Sequence, residues 1–155
     1  MIQYLLFVCT GNTCRSPMAE VIARAAAERR GLDLLIGSAG IVAGAGAPAA
    51  GPGLAVAQKH GLDLSSHSSR AISEDLLAAV DLVLGMTSLH VDALRPALGE
   101  RGVARVTAFL PEAHPLADRD IADPFGGSEE DYEQVFVHLS EAIEALLDHV
   151  ESSGE

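Results

Sequence analysis

Near its amino terminus the chain reads QYLLFVCTGNTCRSP, residues 3–17. Residues 3–8 are almost all apolar and rich in β-forming side chains, which predicts a short central strand buried on both faces. Residues 9–16 form a polar turn, and Pro17 then opens a helix at a position where its missing N–H is not needed. This unit of buried strand, polar loop and helix is the starting point for the rest of the chain.

The alternation of strand and helix continues downstream and indicates an α/β fold. It predicts a parallel sheet with helices on both faces, in a single domain covering residues 1–155, of which the last few are expected to be disordered. Ligand sites in such sheets lie beyond the carboxyl ends of the strands, here at residues 9–16. The remaining predicted elements are helices at 17–30, 54–60, 73–80, 88–97 and from 129 onward, and strands at 34–38, 82–84 and 103–108.

The composition excludes several classes of protein. Ten basic and 22 acidic residues give a net charge of −12, and Lys59 is the only lysine, which argues against a nucleic-acid-binding surface. The amino terminus lacks the positive region of a signal peptide. Residues 37–58 carry no charge, but their glycines and prolines indicate a loop and a short helix and not a membrane span. We therefore expect a cytoplasmic protein without nucleic-acid or membrane partners.

The polar loop has the spacing of an anion-binding site, because five residues separate Cys9 from Arg15. Backbone N–H groups of such a loop surround one point, toward which the following helix directs its N-terminus. This positive field favours a nucleophilic thiolate on Cys9. Arg15 adds a planar donor suited to two phosphoryl oxygens. The loop therefore predicts a phosphate site with Cys9 beneath the phosphorus atom.

Three other loop residues suit this geometry. Gly11 permits close backbone approach, Asn12 tolerates a left-handed conformation, and the Ser16 hydroxyl is placed to hydrogen-bond to the thiolate. The competing interpretation is a buried structural cysteine beside a surface arginine. The flanking strand, the Gly-Asn pair and the Ser-Pro helix start all favour the phosphate-binding loop.

Displacement at phosphorus also needs an acid that protonates the leaving group. The candidate is Asp123, which Pro124 places in a restricted loop, with Phe125 as an apolar wall beside the substrate; an Asp-Pro pair also starts ordinary turns. Two cysteines cannot complete a zinc site, so we expect no metal and no cofactor. The histidines without ligand spacing are assigned to the surface or to helix ends: His60, His90, His114, His138 and His149.

With these residues in place, the sequence resembles the low-molecular-weight protein-tyrosine phosphatase family. The matching segments follow the family order and spacing: 8–20, 38–40, His67 with Arg70, and 123–124. The resemblance implies a four-stranded parallel sheet in the flavodoxin-like order 2-1-3-4. It also implies hydrolysis without a metal, through a phosphocysteine intermediate on Cys9.

The resemblance implies specific roles for site residues as well. Arg15 would clamp the phosphate, and Asp123 would act first as acid and then as base. The phosphate would be bound by Thr10, Gly11, Asn12, Thr13, Cys14, Arg15 and Ser16. The side chains that brace this loop would be Asn12, Ser16, Ser38 and His67.

Two details narrow the match toward the bacterial protein-arginine phosphatase branch. Tyrosine-specific members usually carry a branched aliphatic residue where Thr13 stands, and one or two tyrosines where Phe125 and Gly126 stand. A threonine hydroxyl can orient water and tolerate a polar guanidinium. Asp123 could bind that cationic group as well as protonate it. The alternative is a tyrosine phosphatase in which Thr13 is a neutral variation.

Two other activities fit the scaffold less well. Arsenate reduction needs further redox cysteines, whereas this chain has only Cys9 and Cys14, both in one loop. A non-catalytic oxyanion-binding module would leave Asp123 without a purpose. The expected partners are phosphorylated proteins as substrates and phosphate or other oxyanions as products or inhibitors. We expect a monomer or a weak homo-oligomer.

Several residues keep two interpretations at this stage. Cys14 either packs beneath the loop or traps oxidised Cys9 as a disulfide. Asp118 and Asp120 are interpreted as solvated loop charges. The alternative for Asp120 is a contact with a cationic substrate. Tyr132 is interpreted as an ordinary residue of an amphipathic helix, with regulatory phosphorylation as the family-based alternative.

Overall fold

The computed structural model describes residues 1–99 and 101–154, in which every predicted strand and helix is present. The strands are β1 (Tyr4–Cys9), β2 (Leu35–Gly40), β3 (Leu82–Gly85) and β4 (Gly102–Arg105). The helices are α1 (Arg15–Arg29), α2 (Gly51–Lys59), α3 (Glu74–Ala79), α4 (Ser88–Leu98) and α5 (Glu129–Ser153), with a short 3-10 helix at Val106–Phe109.

The four strands form one parallel sheet in the order β2-β1-β3-β4, which confirms the predicted topology. β1 pairs with β2 along one edge and with β3 along the other, and helices cover both its faces. Leu5 and Phe7 pack in the cluster that includes α1, α2 and α5, while Leu6 and Val8 pack in the cluster that includes α3 and α4. The apolar run without alternation follows from this double burial.

Some element bounds differ from the predicted ones. α1 begins at Arg15, two residues before the predicted start, so Pro17 lies inside its first turn, where the backbone N–H has no partner within the helix. β4 ends at Arg105, although the apolar run continues. Val106 is fully buried, but it belongs to the 3-10 helix that follows β4. The run at 103–108 therefore reflects burial and not a longer strand.

The C-terminal helix α5 packs along α1 and α2. Its predicted apolar stripe is buried: Val135, Leu139, Ile143, Leu146 and Val150. Ser128 and Asp131 form a capping box at its start. The helix continues to Ser153, within the segment predicted to be disordered, and Glu155 lies outside the described residues. Within residues 1–99 and 101–154, no helix is long and apolar enough to cross a membrane.

Candidate active site

The loop of residues 10–14 joins the carboxyl end of central strand β1 to the first turn of α1. Asn12 has a φ of 56°, the left-handed conformation that the Gly-Asn pair predicts. Gly40, at the end of β2, lies directly against the loop backbone. A Cβ atom at this position would lie 2.7 Å from the carbonyl oxygen of Thr10 and 2.9 Å from the amide nitrogen of Asn12. The Ser-Ala-Gly segment thus ends in glycine because the loop occupies the space of a side chain.

Cys9 lies at the base of this loop and is 3% exposed. Its Sγ is 2.9 Å from the Ser16 Oγ, the contact that the sequence predicts. Asn12 Nδ2 donates to the same Ser16 oxygen over 2.9 Å. Because Ser16 accepts from Asn12, its own proton is free to be donated to a Cys9 thiolate. The Ala39 carbonyl oxygen, 3.5 Å from the Ser16 Oγ, is the other acceptor within reach of this hydroxyl.

The conformation of Asn12 is maintained by contacts from two other segments, β2 and residues 67–70. Its Nδ2 also donates to Ser38 Oγ over 3.0 Å, and its Oδ1 accepts the backbone N–H of Arg70 over 3.0 Å. His67 Nε2 lies 2.7 Å from the Asn12 carbonyl oxygen. The structure therefore brings together Asn12, Ser38 and His67, which are separated in sequence, behind the loop that contains Cys9.

Arg15 and Asp123 meet across the mouth of the loop. The Arg15 side chain is 6% exposed, and its Nη1 donates to the carbonyl oxygen of Ile121 over 3.0 Å. Its Nη2 lies 3.6 Å from Asp123 Oδ2, whereas the Asp123 side chain is 56% exposed. The Asp123 Oδ1 accepts the backbone N–H of Phe125. A buried guanidinium with one fixed partner thus faces a carboxylate that is accessible to a ligand.

These residues enclose a cavity of about 250 Å³. Phe125 stands at its rim with 77% of its surface exposed. A larger cavity of about 560 Å³ between β2 and residues 63–70 includes neither Cys9 nor Asp123, so chemistry and not size identifies the candidate site. The lining residues of the smaller cavity are Cys9, Thr10, Gly11, Thr13, Cys14, Arg15, Asp123 and Phe125.

Cys14 is buried beneath the loop and contacts Tyr132 of α5, with 3.3 Å between Sγ and Oη. Tyr132 is 2% exposed and is not a surface residue. Burial raises the pKa of its hydroxyl, and the hydrogen bond with Cys14 raises it further. The hydroxyl is therefore a protonated partner of the loop and is inaccessible to a kinase. The sequence reveals the helical position of Tyr132 but not this contact.

His90 is the site residue that the sequence analysis missed. It lies in the first turn of α4, a helix end as predicted, but it is only 4% exposed. Its Nε2 is 3.0 Å from the Thr10 Oγ1, beside Cys9. Gly85 permits this approach, because a Cβ atom there would lie 3.0 Å from the Cβ of His90. A glycine at the end of β3 was the one signal in the sequence for such close packing.

Asp120 belongs to the surroundings of the site. It accepts hydrogen bonds from the Ser88 backbone N–H and from Arg105, 2.9 and 3.0 Å away. Burial raises its pKa, but these two donors outweigh burial and lower it overall. Asp120 lines a second cavity, of about 530 Å³, that shares Thr10, Arg15 and Asp123 with the first. In residues 1–99 and 101–154, no group of three or more His, Cys, Asp or Glu side chains is arranged to hold a metal ion.

The fold and the site together define a class of α/β protein in which a strand–loop–helix unit forms an anion-binding cavity with a cysteine at its base. A sequence model of the family described as "Low molecular weight phosphotyrosine protein phosphatase" matches residues 4–155. The chain belongs to this family, and the protein is a hydrolase of the low-molecular-weight protein phosphatase type.

Its relatives include phosphatases named for two different substrates. The chain is 37% identical to a protein-arginine-phosphatase of Bacillus subtilis over 145 residues, which cover 92% of this chain and 93% of the relative. It is 33% identical to a low-molecular-weight protein-tyrosine-phosphatase of Streptomyces coelicolor over 163 residues, which cover 100% and 98%.

Solved structures show the same division. The YwlE arginine phosphatase, in a Cys-to-Ser form with a phosphorylated active-site serine, superposes with a TM-score of 0.87 at 33% identity over 96% of each chain. A low-molecular-weight protein-tyrosine phosphatase from T. tengcongensis gives a TM-score of 0.87 at 35% identity, covering 95% of this chain and 99% of the other. The comparisons therefore leave the substrate open.

Proposed function

We propose that this protein is a protein-arginine phosphatase that works through a phosphocysteine intermediate on Cys9. The observation that carries the proposal is one small cavity with Cys9 at its base, Thr13 in its lining and the accessible carboxylate of Asp123 at its mouth. A phosphoguanidinium group would meet an anion cradle at its phosphoryl end and a carboxylate at its cationic end. Both ends are then recognised by opposite charge.

The proposed reaction has two displacements at phosphorus. The Cys9 thiolate attacks the phosphorus while the backbone N–H groups of the loop and the Arg15 guanidinium hold the phosphoryl oxygens. The Asp123 carboxylate takes a proton from the bound guanidinium and returns it to the departing nitrogen, so that the P–N bond breaks and a neutral arginine side chain leaves. The Asp123 carboxylate then removes a proton from water as that water attacks the phosphocysteine. Phosphate leaves, the Cys9 thiolate is restored, and Asp123 passes the proton taken from water to the solvent.

The segment after Asp123 supports arginine as the leaving group. Gly126 has a φ of 78°, and a Cβ atom on Gly127 would overlap the Asp131 side chain and lie 2.9 Å from the Pro124 carbonyl oxygen. This tight turn also donates the Gly127 N–H to Pro124. An aromatic side chain at position 126 would be strained at this positive φ, so the turn favours Phe125 as the single aromatic wall. A guanidinium that binds by charge needs less apolar wall than a phenyl ring.

The alternative function is protein-tyrosine phosphatase with the same mechanism. The exposed ring of Phe125 at the cavity rim favours it, because the ring could stack on the phenyl group of phosphotyrosine. The deciding experiment compares kcat/KM for phosphoarginine peptide, phosphotyrosine peptide and para-nitrophenyl phosphate, without metal and with reductant. Preference for phosphoarginine supports the proposal, and preference for both aryl phosphates supports the alternative. Phosphate binding without turnover of any substrate would contradict both.

Thr13→Ile tests the role of the polar lining directly. We expect the ratio of kcat/KM for phosphoarginine to that for phosphotyrosine to fall about tenfold or more, because removing a hydroxyl and adding apolar bulk each contribute roughly 1 kcal/mol of discrimination. Thr13→Ser retains the hydroxyl and is the matched control. An unchanged ratio in Thr13→Ile would show that this position does not select the substrate.

We also propose that Cys14 is the redox partner of Cys9. A peroxide would oxidise the Cys9 thiolate to a sulfenic acid, and the Cys14 thiol would displace water from it to form a disulfide. Both cysteines are buried in the same loop, which supports such a pairing. Mass spectrometry after brief peroxide treatment should find the Cys9–Cys14 disulfide. Irreversible sulfinic acid on Cys9 in the presence of Cys14 would contradict the proposal.

A further inference from the structure

The hydrogen bonds of His90 determine which of its ring nitrogens carries the proton. The backbone N–H of Thr87 points at Nδ1 over 3.1 Å, and a backbone N–H can only donate. Nδ1 is therefore an acceptor, and the proton of the neutral imidazole lies on Nε2. Nε2 then donates to the Thr10 Oγ1, 3.0 Å away. In this bond His90, at the start of α4, is the donor, and Thr10, in the loop after β1, is the acceptor.

His90 is held neutral by its surroundings. Burial lowers its pKa to about 4, and the charge of Arg15 in α1 contributes in the same direction. The carboxylates of Asp120 and Asp123 oppose this shift without cancelling it. Above pH 5 the ring therefore keeps its acceptor at Nδ1 and its donor at Nε2. It adds no second positive charge next to Arg15.

We propose that His90 is a positioning residue that makes the Thr10 hydroxyl a hydrogen-bond donor to a phosphoryl oxygen of the substrate. Thr10 Oγ1 accepts from His90, so its own proton is free to be donated elsewhere. Thr10 is exposed, follows Cys9 directly and lines the same cavity as Arg15. The hydroxyl thus supplements the backbone donors of the loop. This inference rests on the proposed phosphatase function of the site.

Four single variants separate the bond of His90 to Thr10 from its contacts with the backbone N–H and hydroxyl of Thr87. Asn places its amide oxygen two bonds from Cβ, as Nδ1 is, so His90→Asn retains an acceptor for Thr87 and loses the bond to Thr10. Gln places its amide nitrogen three bonds from Cβ, as Nε2 is, so His90→Gln retains the donor to Thr10. Thr10→Val removes the hydroxyl at nearly constant shape, and Thr10→Ser retains it.

We expect kcat/KM to fall about 10- to 100-fold in Thr10→Val, because a hydrogen bond to a charged group is lost. His90→Asn should lower kcat/KM by a similar factor. His90→Gln and Thr10→Ser should stay within a few-fold of wild type. The double variant Thr10→Val with His90→Asn should be no slower than Thr10→Val, because His90 acts through Thr10. Wild-type rates in His90→Asn and Thr10→Val, or equal losses in His90→Asn and His90→Gln, would overturn the proposal.

Binding of inorganic phosphate keeps this test separate from the proposed function. Titration calorimetry should show weaker phosphate binding in Thr10→Val and His90→Asn, whether or not the wild type turns over phosphorylated peptides. Weaker binding without wild-type turnover would support the positioning of Thr10 and contradict the phosphatase reaction. Unchanged binding in both variants, together with unchanged turnover, would refute the role of His90.

The stability of the protein in acid gives a second readout. The unfolded chain takes up the His90 proton near the ordinary pKa of 6.5, whereas the folded protein takes it up only near 4. The unfolded state therefore binds more protons between these values, and stability falls as the pH decreases from about 6.5 to about 4. His90→Asn lacks this group, so its melting temperature should fall less steeply over that interval. Parallel curves for the two proteins would show that His90 is not held neutral.

Discussion

Replacing Cys9 by alanine is expected to lower kcat by at least about 10⁴-fold for every substrate, because the proposed covalent intermediate forms on the Cys9 sulfur. The sulfur lies at the base of the cavity, and Ser16 and Asn12 place donors behind it. The measurement is steady-state turnover of phosphoarginine peptide and para-nitrophenyl phosphate. Phosphate binding should persist, because the loop donors remain.

Cys9→Ser adds a test of the intermediate itself. A serine in this position can accept the phosphoryl group, but its oxygen is a poor leaving group, so the phosphoserine is hydrolysed slowly. A relative carries a phosphorylated active-site serine in its Cys-to-Ser form. Mass spectrometry should therefore find one phosphoryl group on Ser at position 9 after incubation with substrate. The matched control is Cys14→Ser, which keeps a polar partner for Tyr132 and should lose less than about tenfold. Substantial turnover by Cys9→Ala would refute covalent catalysis.

Asp123→Asn is expected to lower kcat for phosphoarginine by about 10²- to 10⁴-fold, the usual contribution of a general acid. The amide cannot protonate the departing nitrogen and cannot attract the guanidinium. With para-nitrophenyl phosphate, the rate of the first step should fall less, because nitrophenolate leaves without protonation. A burst of nitrophenol followed by slow turnover would report the second step, in which Asp123 acts as base.

Asp120→Asn is the matched control for Asp123→Asn. Both carboxylates line the second cavity beside Arg15, but Asp120 is bound to Arg105 and to the Ser88 backbone N–H. Its substitution should change kcat less than about tenfold, since it removes charge near the site without removing the acid. Equal losses in the two variants would assign the effect to local charge and not to proton transfer.

Much of the architecture could be predicted because local patterns and burial agree. The run at 3–8 is apolar on both faces, and β1 is indeed covered by helices on both sides. The stripe of α5 follows the helical period and is buried as predicted. The ends of strands were less predictable, because an apolar side chain can be buried without belonging to a strand. Val106, in the 3-10 helix after β4, is an example.

The residues of the candidate site also divide into those that local patterns predict and those that they do not. Residues within the loop could be predicted, because a strand end, a helix start and fixed spacing place Cys9 and Arg15 together without long-range information. Asp123 was a candidate only because the expected chemistry needs an acid, and no local pattern predicts that it lies 3.6 Å from Arg15. The contacts of His90 and Tyr132 were not predicted, since each reaches the loop from a helix distant in sequence, and their own helical patterns contain no sign of Thr10 or Cys14.

The sequence alone therefore determined the α/β class and the strand–loop–helix unit that carries Cys9 and Arg15, because these depend on contacts between near neighbours along the chain. Only the tertiary structure decided which distant side chains complete the site. It placed Asp123 opposite Arg15, His90 against Thr10 and Tyr132 beneath Cys14. The physical reason is that a buried polar side chain takes its partner from whatever the fold brings within about 3 Å. That partner is set by helix packing on the sheet, which no local pattern encodes.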